Sequence, residues 1–355
     1  MKGAPLSKAD ITDEGTPFVL YGELYTTYGE VTRSIKRRTD KIVEPQFYSK
    51  VGDVIMPTSG ETPEDIATAS CIMLPDVILA GDLLIYRTQK VDGRLVSFVV
   101  KNKVNKQISS VAQGKSVVHI RAEELSKISI SYPSDAEQQK ILAMLELLED
   151  KITKQRELIE HLKKYKRGVV KAIFSGKLNL SAEYPFEFWE NKAICECLKY
   201  EQPQKYIVAT EKYDDSFTTP VLTANKGFIL GYTDEQQGIY DKGDVIIYDD
   251  FTMDMKYVTF NFKVKSSTIK MLTPTQGNDL YFMYSLLQSL ELQPEGHQRS
   301  YISKVEPMIV QVPPYELQLH ISEFLKNIDD RVVFAEKQLA LLVTQKQGLM
   351  QGLFA

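Results

Sequence analysis

The residues of this chain that could do chemistry fall short of any catalytic or metal-binding pattern. Val312-Pro313-Pro314-Tyr315 comes near the Asn/Asp-Pro-Pro-Tyr motif of adenine-modifying sites, but Val312 stands where an amide or carboxylate must accept the hydrogen bonds of the adenine amino group. These four residues read instead as the start of a helix. Gly114-Lys115-Ser116 ends like a phosphate-binding loop, yet Ser109 occupies the position of its first glycine. His119, His161, His297 and His320 show no metal-ligand spacing, and Cys195-x-Cys197 has the wrong spacing for a zinc knuckle and no second ligand pair. The two cysteines read as ordinary strand packing, and His161 as a surface residue of a helix. No glycine-rich strand-to-helix turn offers a cofactor cradle. The expectation is therefore no catalytic residue, no metal and no cofactor in this chain.

What remains is the chemistry of contact. Arg33, Lys36, Arg37, Arg38 and Lys41 form a basic run opposed only by Asp40. Clustered cations suit phosphate, and arginine can also grip guanine with two hydrogen bonds; the competing reading is a solvated loop. Lys101, Lys103, Lys106 and Lys115 make a second cluster of the same kind, and Lys256, Lys263, Lys265, Lys270 and Arg299 are candidates further on. Thr58, Ser59, Gln113, Tyr232 and Gln236 could supply polar contacts to base edges. Against this stands a net charge of −4, since phosphate contacts dominate nucleic-acid affinity. Any positive surface must be local, or come from partner subunits.

The elements that would position these residues follow from composition and from an internal repeat. At 355 residues, with 43% hydrophobic and 25% charged side chains, the chain can bury two cores of ordinary globular type. No apolar run follows Met1 as in a signal peptide, no stretch of about 18 apolar residues could span a membrane, and three cysteines make no disulfide framework. A cytoplasmic protein without membrane contact is expected.

The segment from Pro133 to Phe174 repeats without a gap, at an offset of 180 residues, from Pro313 to Phe354. Identical pairs include Gln138/Gln318, Ile141/Ile321, Leu145/Leu325, Leu162/Leu342, Lys166/Lys346 and Gly168/Gly348. In the first copy Ile141, Leu145, Leu148, Ile152, Ile159 and Leu162 fall on a seam whose spacing alternates four and three once Gln155 is counted between Ile152 and Ile159, and Ile321, Leu325, Ile328, Val332, Leu339 and Leu342, with Ala335 between Val332 and Leu339, do so in the second. Such a seam is what supercoiling helices require, and a lysine at the same seam position in both copies would help to fix register. Each helix of some 40 residues would be about 60 Å long, too far for the compact body between them to carry the chain back for a parallel partner. Antiparallel pairing is therefore expected. It would also bring Lys163, Lys164, Lys166, Arg167 and Lys171 towards Glu316, Glu323, Asp329 and Asp330.

The chain thus reads as an α+β protein: a body over 1–132, a helix over 133–177, a second body over 178–312 and a second helix over 313–355. Short β-like runs entered by Gly-Asp turns recur in both bodies, at Gly52-Asp53, Gly81-Asp82 and Gly243-Asp244, and each body holds a helical stretch, near 98–111 and 279–291. Two similar units imply a pseudo-twofold axis, which suits a duplex with two half-sites; unlike bodies would read unlike half-sites.

These repeats, with Tyr21-Gly22-Glu23-Leu24-Tyr25, Pro57-Thr58-Ser59-Gly60 and Gln113-Gly114-Lys115-Ser116 in the first body and Pro220-Val221-Leu222-Thr223 and Phe228-Ile229-Leu230-Gly231-Tyr232-Thr233 in the second, resemble the specificity subunits of type I restriction-modification systems. The resemblance covers essentially the whole chain. It implies two mixed α/β target-recognition domains separated by two long antiparallel coiled-coil helices, a non-catalytic reader of a bipartite, asymmetric site in double-stranded DNA. It also implies two methyltransferase subunits as partners, methylating adenine with S-adenosylmethionine, and restriction/translocase subunits using ATP and Mg2+. One departure stands out: the second body opens with Tyr184-Pro185-Phe186-Glu187-Phe188-Trp189, a lead-in the first body lacks. A coiled-coil scaffold for other proteins and a stand-alone DNA-modifying enzyme are the competing readings. Co-purification with methyltransferase subunits separates the first from the reader; activity of the isolated chain would favour the second.

Overall fold

The computed structural model describes residues 2–112, 118–225, 227–294 and 299–354. The chain forms two units, Met1–Gln155 with Gln338–Ala355, and Arg156–Lys337. Among the described residues four helices have ten residues or more: α1 (Gly93–Asn102), α2 (Asp135–Phe174), α3 (Leu280–Ser289) and α4 (Tyr315–Phe354). The unit boundary cuts α2 and α4, each 40 residues long. None of the described helices is long and apolar enough to cross a membrane.

In the first unit a four-stranded sheet runs in the order Val31–Thr32, Ser70–Ile72, Asp53–Pro57, Leu83–Tyr86. A three-stranded sheet sets Thr16–Leu20 between Arg38–Thr39 and Ile78–Ala80. Every residue of Asp53–Pro57 is buried, so this run shows no polar alternation and marks the middle of the fold. Gly52 enters it at φ +91, a left-handed conformation that a side chain resists. The helical stretch expected near 98–111 begins earlier, at Gly93, because Asp92 caps it by accepting the Arg94 N–H. It breaks at Lys103–Val104 before a second short helix, Asn105–Val111.

The second unit repeats the plan. Its four-stranded sheet has the order Leu198–Glu201, Ile269–Pro274, Val245–Asp249, Met255–Val258, with the fully buried Val245–Asp249 entered by Gly243 at φ +90. A three-stranded sheet centres Thr219–Leu222 between Ile229–Thr233 and Lys263–Val264. Just after the lead-in Tyr184-Pro185-Phe186-Glu187-Phe188-Trp189, Glu190–Ala193 pairs antiparallel with Ile309–Val312. The equivalent positions of the first repeat, 129–132, alternate Ser-Ile-Ser-Tyr as a strand would, but they form none. A strand without a partner leaves its ladder unmade, so the pattern alone does not suffice. Cys195 and Cys197 lie on a helical turn, Ile194–Cys197, and not in a strand as expected; Cys197 is buried and Cys195 exposed. Burial pushes the Cys197 thiol up to about 11, which keeps it protonated and a poor metal ligand.

Within each unit the two long helices run antiparallel. In the second, Lys163 meets Glu336 at 2.7 Å and Lys166 meets Asp329 at 2.6 Å, so numbers rise on one helix as they fall on the other. In the first, Gln155 Nε2 donates to Gln338 at 3.5 Å and Lys346 pairs with Glu149. The seam residues Ile141, Leu145, Leu148, Ile152, Ile159, Leu162, Ile321, Leu325, Ile328, Val332, Leu339 and Leu342 are all buried or half-buried. Leu142, Leu145 and Met350 join the core of the first unit, and Val169, Val170, Ile173, Ile321 and Leu325 that of the second. Each domain therefore rests on the start of the helix that follows it and on the end of the other.

Candidate nucleic-acid interface

The sequence repeat reappears as a repeat of hydrogen bonds. Gln138 and Gln318 are 2% and 1% exposed. The side-chain carbonyl of Gln138 accepts the Asp92 N–H at 2.9 Å, and that of Gln318 accepts the Asp279 N–H at 2.8 Å. Their amide groups donate back to the carbonyls of Pro133 and Pro313, at 3.1 and 2.9 Å. Asp92 and Asp279 are the N-caps of α1 and α3. One buried glutamine per unit thus ties the start of a long helix to the start of the domain helix beside it.

The paired seam lysines behave alike. Lys166 binds Asp329, and Lys346 binds Glu149 and Glu30, the latter at 3.2 Å. Asp329 is the repeat counterpart of Glu149, so each lysine reaches the matching carboxylate of the other helix. Each also lies over an aromatic ring of its domain helix, Lys166 over Tyr281 at 5.9 Å and Lys346 over Phe98 at 5.7 Å. Burial alone would raise the Glu30 carboxyl, but Lys101 and Lys346 outweigh it and hold the group below its ordinary range. The expected lysine seam is real, and both of its cations are matched by carboxylates.

The basic run of the first body is partly neutralised. Arg33 bonds Glu146 at 2.5 Å and Arg37 bonds Glu23 at 2.7 Å, while Arg38 donates to the Gly15 carbonyl at 2.8 Å. Lys36 is exposed, and Lys41 faces Asp40 at 3.9 Å. Gln113 and Lys115, with the rest of Gly114-Lys115-Ser116, lie outside the described residues. Thr58 donates its N–H to the Asp82 carbonyl at 2.7 Å.

Ser59 is buried in a small constellation that the sequence did not announce. Its Oγ lies 2.8 Å from Asp82 Oδ2 and 2.9 Å from His119 Nδ1. A serine hydroxyl has one proton, and a carboxylate only accepts, so the hydroxyl donates to Asp82 and His119 must donate from Nδ1. That leaves His119 Nε2 as an acceptor when the ring is neutral. Asp82 lies on the serine and not on the imidazole, so the group has no nucleophile-activating order. The signal was the strand pairing of Ser59–Gly60 with Val118–His119, residues 60 apart in sequence.

In the second unit Tyr232 lies on the strand Ile229–Thr233, half-buried, and Gln236 is exposed, donating to the Asp234 carbonyl at 3.0 Å. Lys265 pairs with Glu211, Lys256 lies half-buried on Met255–Val258, and Arg299 is exposed. Two other candidates are removed from any DNA surface. Lys263 is buried against Glu235 at 2.9 Å, and Lys270, 1% exposed, is buried against Asp250 at 3.1 Å. Both lysines sit on stretches of strand buried on either face, Lys263–Val264 and the start of Ile269–Pro274, and carboxylates there meet them.

The architecture is therefore two α+β units, each with a copy of the long-helix repeat tied into it. Residues 86–164 match the family described as type I restriction modification DNA specificity domain, and the resemblance read from the sequence holds. The chain is similar to the type I restriction enzyme EcoR124I/EcoR124II specificity subunit of Escherichia coli, 47% identical over 124 residues. That match spans 33% of this chain and 31% of the relative, about a third of its length. Among solved structures, the type I restriction-modification S subunit from M. genitalium superposes with a TM-score of 0.65 at 17% identity, covering 100% of this chain and 93% of that one. A second, from work on complex assembly and conformational transition of the type I R-M system, gives 0.52 at 15% identity over 90% of this chain and 86% of that one. The fold is that of these subunits, and α1, with the first three quarters of α2, falls in the matched segment.

Proposed function

We propose that this chain is the DNA-specificity subunit of a type I restriction-modification complex, with no catalysis of its own. The two domains read the two unlike halves of a bipartite, asymmetric target in double-stranded DNA, and the paired helices that continue through both units set the unspecified gap. Two methyltransferase subunits dock on the chain and methylate adenine with S-adenosylmethionine. Restriction/translocase subunits join them and supply ATP- and Mg2+-dependent cleavage, all in the cytoplasm. The observation that carries this reading is the matched anchoring of the repeat, the same glutamine and the same lysine making the same contacts in both units. Two copies of one anchoring device around unlike readers suit a twofold duplex whose half-sites differ.

Exposed apolar side chains on the helices support docking: Met144 and Leu147 in the first unit, and Leu158, Tyr165, Val333 and Phe334 in the second, are between 41% and 62% exposed. The test is co-expression of the tagged chain with methyltransferase subunits, followed by mapping of methylated adenines in the host DNA. A stable complex and one split asymmetric motif are expected. Methylation or cleavage by the isolated chain would overturn the reading, as would an unsplit motif.

A further inference from the structure

We infer that a cationic groove in the second unit grips the sugar-phosphate backbone of the duplex, with Arg167, Lys171 and Lys256 as its phosphate contacts. This rests on the DNA-reading function proposed above and deepens it, because none of the three needs to see a base. The starting point is a local imbalance in a chain of net charge −4. From His161 to Ala182 there is no carboxylate, yet Lys163, Lys164, Lys166, Arg167, Lys171 and Lys177 fall there. The sequence suggested that acids early in the second helix would neutralise them.

The structure grants that to two only. Glu336 takes Lys163 and Asp329 takes Lys166, while Glu316, Glu323 and Asp330 pair with none of them among the described residues. Asp329 is further committed, since it also accepts the Tyr281 hydroxyl. Arg167 and Lys171 stand four residues apart, one turn along the same face and about 6 Å in rise. Both line a half-open cavity of about 570 Å³ whose other wall carries Lys256. Among the described residues none of the three has an ion-pair partner. Asp254 and Glu291 also border the cavity, leaving it net positive, and Gln288, whose side-chain amide gives one N–H to the Tyr284 hydroxyl, keeps a second for a phosphate oxygen. The half-buried Leu292 lines the same cavity and gives it an apolar patch that deoxyribose can cover.

The groove resolves the objection that net charge raised. A negative chain can bind a polyanion if its unpaired cations converge, and here they converge on the end of a spacer helix and the strand beside it.

The test uses the full chain with its methyltransferase subunits, titrating a duplex that bears the mapped target and a scrambled duplex over a range of salt. The triple variant Arg167→Gln, Lys171→Gln, Lys256→Gln should weaken both duplexes alike and lower the slope of log affinity against log salt by about two to three, at roughly 0.9 per phosphate contact. The methylated motif should not change. The charge-keeping pair Arg167→Lys, Lys171→Arg should hold the slope, as should Lys164→Gln, which lies outside the groove. A triple variant with an unmoved slope, or a changed motif, would overturn the assignment while leaving the reader function standing. Loss of a protein subunit at an unchanged slope would overturn it too, and hand the groove to an acidic segment of that partner. If the unsubstituted complex binds no duplex, the reader function itself falls.

Discussion

Gln138 and Gln318 show how much one buried amide can fix. Each satisfies an N–H at the head of a domain helix and a proline carbonyl at the head of a spacer helix, and Gln318 also donates to the Gly277 carbonyl, so one side chain closes at least two backbone groups in each unit. Replacing Gln318 by Leu keeps the volume but leaves the Asp279 N–H and the Pro313 carbonyl short of a partner. The second unit should lose about 2 kcal/mol, as buried unmade hydrogen bonds usually cost, and Gln138→Leu should cost the first unit a similar amount. Urea unfolding of the full chain reads both; losses under about 0.5 kcal/mol would mean that the tie is decorative. The sequence offered the identity of the two glutamines but not their job, because a donor count needs the neighbours. The same holds for Ser59, whose partners Asp82 and His119 lie 23 and 60 residues away. Lys263 and Lys270 made the opposite error possible: as letters they are cations for DNA, and only burial shows them bound to Glu235 and Asp250.

At the scale of elements, the long helices were the most legible part, since an apolar seam repeated at a spacing near 3.5 over 40 residues fits paired helices and little else. The pairing of Lys166 with Asp329 and of Lys346 with Glu149 adds a charge register to the apolar one. A helical ruler makes a mechanical prediction. Four residues inserted after Gln155 and after its facing residue Gln338 add about 6 Å to each helix, roughly two base steps of a duplex rising about 3.4 Å each. The mapped target should keep both half-sites and gain one or two unspecified base pairs. A gap of unchanged length would remove the ruler role. The β elements were less legible. Residues 129–132 carry a strand-like alternation without forming a strand, while their counterparts Ile309–Val312 do form one against Glu190–Ala193. Strand formation depends on a partner that local sequence does not contain.

For the whole molecule, the apolar clusters close within the units: the cluster holding Val54 and Phe98 belongs to the first unit, and those around Tyr248 and Phe262 to the second. Separate cores predict separate readout. On the proposed function, exchanging residues 178–312 for the corresponding body of a type I specificity subunit should change one half-site of the methylated motif and leave the other as it was. A change in both would mean that the readers are coupled.

The sequence by itself determined the repeat and the two long helices with their seam, because periodicity and self-similarity are properties of neighbours along the chain. Only the tertiary structure decided which charges are free. Ion pairs form between residues far apart in sequence, so Arg33, Arg37, Lys263 and Lys270 are neutralised by carboxylates that no local pattern connects to them, while Arg167 and Lys171, in a run that looked matched, are left facing an open groove.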